Sequence, residues 1–265
     1  MTVQTVVITG ASSGIGAAFA RLLAAERCAL VLVSRRADRL TTLADELRAQ
    51  GAAGVTPLAA DLSRAHDVEL VAARIEELGM LDLLINSAGF GVPGRLWEAS
   101  WNRQSALARL HAEAVPRLCR AAIPGLLRAG GRGIINVASI GAWIPRPGDA
   151  VYCASKAFVV TLSIALADEL DRTGLKVQAL CPGFTRTEFY ASPLYAGIDV
   201  ALPAWLWHSA EAVARSSLRA LAAGPVVHVP GIMNRLLLLA ARFGGRGAIL
   251  RALDRFVKAR PDGRR

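Results

Sequence analysis

Ser139, Tyr152 and Lys156 have the side-chain types and the spacing needed to move a proton to or from an oxygen. Tyr152 and Lys156 bracket Cys153-Ala154-Ser155 and are four residues apart, so they share a face if the segment is helical. A free tyrosine titrates near ~10, too high for ready proton exchange at neutral pH. An ammonium held close favours the phenolate and lowers that barrier. Ser139 follows the apolar run Ile134–Val137 and Ala138, where its hydroxyl could hold a substrate oxygen. The same spacing also suits a solvated lysine beside a half-buried tyrosine, and what precedes it in the chain decides between them.

What precedes it is a strand-and-helix alternation. The β-branched run Val3–Thr9 reads as a buried strand and leads into Gly10-Ala11-Ser12-Ser13-Gly14-Ile15-Gly16, then an alanine-rich helix to about Arg27. Glycines at a strand-to-helix turn let a pyrophosphate approach the N–H groups of the helix start. A second strand, Ala29–Val33, ends in Ser34-Arg35-Arg36. An acid at this place holds ribose hydroxyls, whereas arginine accommodates a 2′-phosphate, so Arg35 and Arg36 point to NADP(H). Further strands are expected at Gly54–Leu58, Leu81–Ile85, Ile134–Ala138, Lys176–Leu180 and Val226–Val229, with helices over 37–50, to Leu78, Trp101–Arg128, Tyr152–Arg172 and Glu211–Ala222. Pro116 should break or kink the long helix. The alternation implies a Rossmann-like, doubly wound α/β fold with a seven-stranded parallel sheet and helices on both faces. Gly10, Arg35, Asp61 and Asn86 would all lie at the carboxyl ends of strands, where such sheets bind ligands.

Taken in order, Thr9-Gly10-x-x-x-Gly14-Ile15-Gly16, Asn86-x-Ala88-Gly89, Ser139, Tyr152-x-x-x-Lys156 and Pro182-Gly183-x-x-x-Thr187 resemble the short-chain dehydrogenase/reductase family across about residues 3 to 230. The resemblance implies that Tyr152 is a general acid/base, that Ser139 orients a carbonyl, and that Lys156 binds the nicotinamide ribose while tuning Tyr152. It implies cofactor contacts from Ser12, Ser13, Asp61, Leu62, Asn86, Ala88, Gly89, Pro182, Gly183, Thr185 and Thr187. The expected activity interconverts a carbonyl, ketone or aldehyde, and an alcohol. Two departures stand out. Ser87 replaces the second asparagine of the family's Asn-Asn-Ala-Gly, a mild change. His111 stands where the family's tetrad has asparagine, whose main-chain carbonyl helps hold a proton-relay water. A histidine keeps that carbonyl and adds a titratable ring. It could substitute, impair turnover, or pack as a polar core residue. Impairment would leave an NADP(H)-binding regulatory or scaffold protein as the alternative reading.

A hydrophobic fraction of 53% and a mean hydropathy of +0.38 suffice for a large core. The sequence shows no uninterrupted apolar run near the ~18 residues of a membrane span, and Met1-Thr2-Val3-Gln4-Thr5 lacks a secretory pattern. Cys28, Cys119, Cys153 and Cys181 are scattered without metal-ligand spacing, so reduced thiols, no metal and a cytoplasmic location are expected. The net charge of +10 is concentrated at the end of the chain. Residues 235–265 carry nine Lys or Arg against two Asp, a net +7, which argues against a general nucleic-acid surface. Residues 1–232 form the expected Rossmann-like unit, with an aromatic lid over 184–208 that suggests a hydrophobic substrate. Residues 233–265 form a basic amphipathic extension. Its helices, Met233–Phe243 and Arg246–Arg260, dock on the body or a subunit interface in the preferred reading and touch a membrane surface in the other. A homo-oligomer, dimer or tetramer, is expected.

Overall fold

The computed structural model describes residues 3–191, 198–200, 203–254 and 257–259. All seven expected strands form: β1 (Thr5–Thr9), β2 (Ala29–Ser34), β3 (Gly54–Ala59), β4 (Leu83–Asn86), β5 (Gly133–Val137), β6 (Lys176–Leu180) and β7 (Val227–His228). They build one parallel sheet in the order β7-β6-β5-β4-β1-β2-β3. Its central strands are buried almost throughout and largely apolar because helices cover both faces. On one face α1 (Gly14–Ala25), α2 (Ala37–Ala49) and α7 (Ala210–Ala223) pack around Phe19, Leu23, Leu40 and Val213. On the other, α3 (Ala65–Glu77), α5 (Val115–Ala129) and α6 (Ala150–Leu170) pack around Val71, Leu118, Ala122 and Val159. The strand order reverses between β1 and β4, which opens a crevice at the carboxyl ends of the strands.

The helix expected over Trp101–Arg128 is not broken at Pro116. It runs as α4 (Trp101–Arg109), one π-helical turn (Leu110–Ala114) and α5. Pro116 has no N–H for the carbonyl four residues earlier and its ring excludes that carbonyl, so the chain widens by one residue ahead of it. The widened turn carries His111 inward, 1% exposed.

By length and composition the helical stretch Ala150–Thr173 is apolar enough to cross a membrane, although its sequence is interrupted by polar residues. Instead it carries the Tyr-x-x-x-Lys motif across the sheet, with Val159 and Val160 in the core and Lys156 4% exposed.

Within the lid, Thr185–Arg186 pairs in parallel with His208–Ser209, and a one-turn helix follows at Glu188–Ala191. Phe184 meets Trp207 edge-on and Phe189 leans on Tyr152. Tyr195 lies outside the described residues. Beyond β7, α8 (Ile232–Ala240) is joined to α9 (Arg246–Asp254) through a kink at Phe243–Gly244. The expected helix to Arg260 stops short. Val257–Ala259 is extended and pairs antiparallel with Ile198–Val200, because a strand partner far off in sequence takes its backbone groups.

Candidate active site

The crevice is a cavity of about 570 Å³. One end is set by β1 and α1. Gly10 has φ +67°, and a Cβ there would lie 2.7 Å from the Ala88 backbone, so only glycine fits. Thr9 Oγ1 accepts the N–H groups of Ser87 (3.0 Å) and Ala88 (3.2 Å), which binds the Asn86–Gly89 loop to the end of β1. Ser13 precedes α1 in extended conformation and makes no side-chain cap. The Ser12 and Ser13 hydroxyls instead accept from Arg36, at 2.9 and 2.7 Å from Nη2. The other arm of Arg36 holds Glu188 Oε2 at 2.8 Å, and Arg39 holds Glu188 Oε1 at 2.5 Å. Glu188 is held below the ordinary carboxylate range by Arg36 first and Arg39 second. Two guanidiniums thus seat an anionic group, here a carboxylate, and the two hydroxyls fix the orientation of Arg36. Arg35 lines the same cavity with its guanidinium 5.7 Å from the Phe90 ring centre, a geometry that also suits stacking on a planar ring.

At the other end, β5 delivers Ser139 and the first turns of α6 deliver Tyr152 and Lys156; all three line the cavity. Ser139 Oγ accepts the Gly141 N–H at 3.0 Å, so its own hydrogen is left to donate into the cavity. A Cβ on Gly141 would stand 3.4 Å from Ser139 Oγ and 3.7 Å from the Tyr152 ring, which places the two hydroxyl-bearing side chains around one gap. Lys156 Nζ donates to the Val137 carbonyl at 2.7 Å and lies 5.9 Å from the Tyr152 ring centre. Burial pushes Lys156 down to about 7. Behind this pair, Asn86 Nδ2 donates to Asn136 Oδ1 (2.8 Å) and Asn136 Nδ2 to Ser163 Oγ (3.0 Å), which ties β4, β5 and α6 together.

A hydroxyl donor, a tyrosine and a buried lysine converge beside a glycine turn and an anion seat in a doubly wound sheet. The short chain dehydrogenase profile matches residues 4–193. The chain belongs to the short-chain dehydrogenase family, a family of oxidoreductases. Among its relatives is a short chain dehydrogenase of Pseudocercospora fijiensis, 33% identical over 199 residues, covering 71% of this chain and 62% of that one. Two solved structures match through the C-terminal extension as well. The Sphingobium yanoikuyae short-chain dehydrogenase in complex with NADPH has a TM-score of 0.80 at 33% identity, covering 99% of this chain and 98% of the other. The bulky-bulky ketone specific alcohol dehydrogenase of Comamonas testosteroni has a TM-score of 0.77 at 30% identity, covering 97% and 99%.

Most residues singled out in the sequence line this short-chain dehydrogenase cavity: Gly10, Ser12, Ser13, Gly14, Ile15, Arg35, Arg36, Asp61, Leu62, Ala88, Gly89, Ser139, Tyr152, Lys156, Pro182, Gly183, Thr185 and Thr187. Three do not. Gly16 acts from behind, since a Cβ on it would lie 2.4 Å from the Gly10 carbonyl oxygen. Asn86 is committed to the buried network just described. His111 lies beneath Gly89, with Nε2 3.4 Å from where a Cβ on Gly89 would be. Thr187 caps the lid helix by accepting the Phe189 N–H at 3.2 Å. The sequence reading missed Arg39 and Glu188. Arg39 has a detectable signal, since it stands one helical turn after Arg35 and Arg36; Glu188 has none, because it comes from the lid. Leu237 and Ile249 of the C-terminal extension also line the cavity.

Proposed function

We propose that this chain is an NADP(H)-dependent oxidoreductase that interconverts a hydrophobic ketone or aldehyde and its alcohol, with Tyr152 as general acid/base. The observation that carries this reading is the position of Ser139, Tyr152 and Lys156 on the cavity that also holds the Arg36–Arg39 anion seat. The residues fit the cofactor. Gly10 admits a close backbone approach, and the bare N-terminus of α1 offers N–H groups to a pyrophosphate. The seat that grips Glu188 has the charge and hydroxyls to grip a 2′-phosphate, with Arg35 beside it. The bound dinucleotide would supply or accept the hydride.

The protein's own groups manage the oxygen. Ser139 donates its hydroxyl hydrogen to the substrate oxygen and orients it. Tyr152 delivers the proton to that oxygen during reduction and takes it back during oxidation. Lys156, held by the Val137 carbonyl, places its charge beside Tyr152 and favours the phenolate. Ile144, Phe184, Phe189, Leu237 and Ile249 give the substrate side an apolar lining. Purified protein with NADPH and a panel of bulky ketones tests the reading by loss of NADPH absorbance. NADPH binding without turnover on any aromatic or alicyclic ketone would favour the scaffold alternative.

A further inference from the structure

The C-terminal helix α8 is apolar on two faces, and only one of them is covered. On its inner side Met233 and Leu237 pack against Phe184, Leu206 and Trp207. Asn234, 1% exposed, donates to the Pro230 carbonyl at 2.7 Å and stands directly over Gly183. Leu237 and, from α9, Ile249 continue into the cavity wall. The helix is therefore fixed in place and cannot roll to hide its other side.

That other side carries Ile232, Leu236 and Leu239, which are 75%, 51% and 54% exposed, and Phe243, 78% exposed, follows at the kink beyond the helix. Steps of four and three residues put the first three on a single stripe. Arg235 on the helix and Arg242 in the π-helical turn after it are exposed; Arg235 Nε donates to the Val229 carbonyl at 2.9 Å, and neither guanidinium makes an ion pair among the described residues. Trp205, next to the packed Leu206, is 62% exposed. From Ile232 to Arg251 the sequence holds no Asp or Glu, and from 235 to 265 its net charge is +7.

We infer that this face is a peripheral membrane-docking surface that takes an anionic phospholipid bilayer. Large apolar side chains in line, an exposed tryptophan beside the packed Leu206, and arginines with no acid between them match what the boundary between headgroups and acyl chains accepts. A second copy of the chain fits less well. A two-fold contact through this stripe would gather Arg235 and Arg242 from both copies around an apolar seam that contains no acid to pair them. An anionic bilayer supplies the missing countercharge. The arrangement also bears on the substrate, a consequence that rests on the oxidoreductase reading. The opposite face of the same helix lines the cavity, so a ketone or alcohol dissolved in the bilayer has a short apolar path to the site.

Flotation of the full chain with vesicles tests the surface without reference to turnover. Vesicles of phosphatidylcholine with about a third phosphatidylglycerol should carry the protein, pure phosphatidylcholine should carry much less, and high salt should reduce the anionic binding. The double variant Leu236→Glu, Phe243→Glu should bind about tenfold or more weakly with its melting temperature unchanged, because both side chains are solvent-facing. Wild-type protein that stays with the soluble fraction, or a variant that floats as well as wild type, overturns the inference. So does light scattering that shows the wild type as an oligomer and the folded variant as a monomer, which would make the stripe a subunit contact.

Discussion

His111 Nδ1 lies 2.8 Å from Ser155 Oγ, and that hydroxyl reaches the Tyr152 carbonyl, also at 2.8 Å. With the Ser155 hydrogen given to Tyr152, the hydroxyl accepts from Nδ1–H, so the ring braces the helical turn that presents Tyr152. Burial first, and the charge of Lys156 second, push His111 well below its ordinary range, and the Ala88 carbonyl offsets this only in part. Burial and the neighbouring charge therefore favour the neutral imidazole. This contact is of the kind a packed polar core residue makes, one of the three roles its sequence position allows.

His111→Ala should accordingly slow turnover and cost about 1–3 kcal/mol of stability, since it removes the buried hydrogen bond that Ser155 accepts and leaves that hydroxyl only its bond to the Tyr152 carbonyl. The pH–rate profile between about 6 and 7 should keep its shape. His111→Gln, which retains a donor of similar reach, should recover part of both losses. A wild-type profile with a limb near 6.5 that vanishes in the variants would mean that the ring relays protons.

How far the sequence alone leads is clearest from such residues. Strands buried on both faces of a sheet are rich in apolar and β-branched residues, so β1, β2, β5 and β6 could be read directly even with Asn136 and Gln178 inside two of them. The turn glycines and the Tyr-x-x-x-Lys pair are local patterns and were equally plain. The position of His111 was legible, but its neutral state was not, because that state comes from burial under Gly89 and from Lys156. Pro116 signalled disturbance, yet whether a helix breaks or takes a π turn depends on what packs around it. Glu188 and Arg39 are 149 residues apart and meet only through the fold. The end of α9 was lost for the same reason, since the strand that pairs with Val257–Ala259 comes from the lid.

The anion seat makes a prediction about cofactor choice. Arg36→Ala should weaken NADPH binding by about 1.5–3 kcal/mol, the range of a hydrogen bond to a charged group, and should change NADH little. Arg35→Ala should weaken both, because stacking on the adenine does not depend on the phosphate. Glu188→Gln removes a negative charge that competes for Arg36 and Arg39, so NADPH should bind several-fold tighter with NADH unaffected. Calorimetric titration of the three variants with both dinucleotides checks this. A Glu188→Gln variant that binds NADPH more weakly would show that the carboxylate clasps the lid over the ligand and does not compete with it.

Tyr152→Phe removes only a hydroxyl from the cavity. Ketone reduction should fall by a factor of about 10²–10⁴, the usual worth of a positioned acid, while NADPH affinity stays within a few-fold. Ser139→Ala should also lower kcat, with Tm nearly unchanged, since among the described residues the partner lost is the Gly141 N–H. Stopped-flow single turnovers separate binding from chemistry in both variants. Near-normal turnover in the phenylalanine variant would mean that the proton comes from another group.

Lys156 should couple cofactor binding to proton uptake. Its ammonium is buried, with the Val137 carbonyl as its hydrogen-bond partner, and burial brings it down to about 7. Above pH 7 the empty protein has therefore largely given up this proton. A polyanionic dinucleotide nearby favours the charged form and raises the group's pKa in the complex. The sign follows from that direction. At pH 8 binding should take up close to one proton, and NADPH affinity should fall as pH rises above 7, by at most about tenfold per unit. Below pH 7 the lysine is already charged in both states and the dependence should flatten. Calorimetry at pH 8 in buffers of different ionisation enthalpy counts the protons directly, and Lys156→Met should abolish the uptake. Binding at pH 8 with no proton exchange in the wild type would mean that the lysine holds one charge state throughout, and its part in favouring the Tyr152 phenolate would then have to be reassigned.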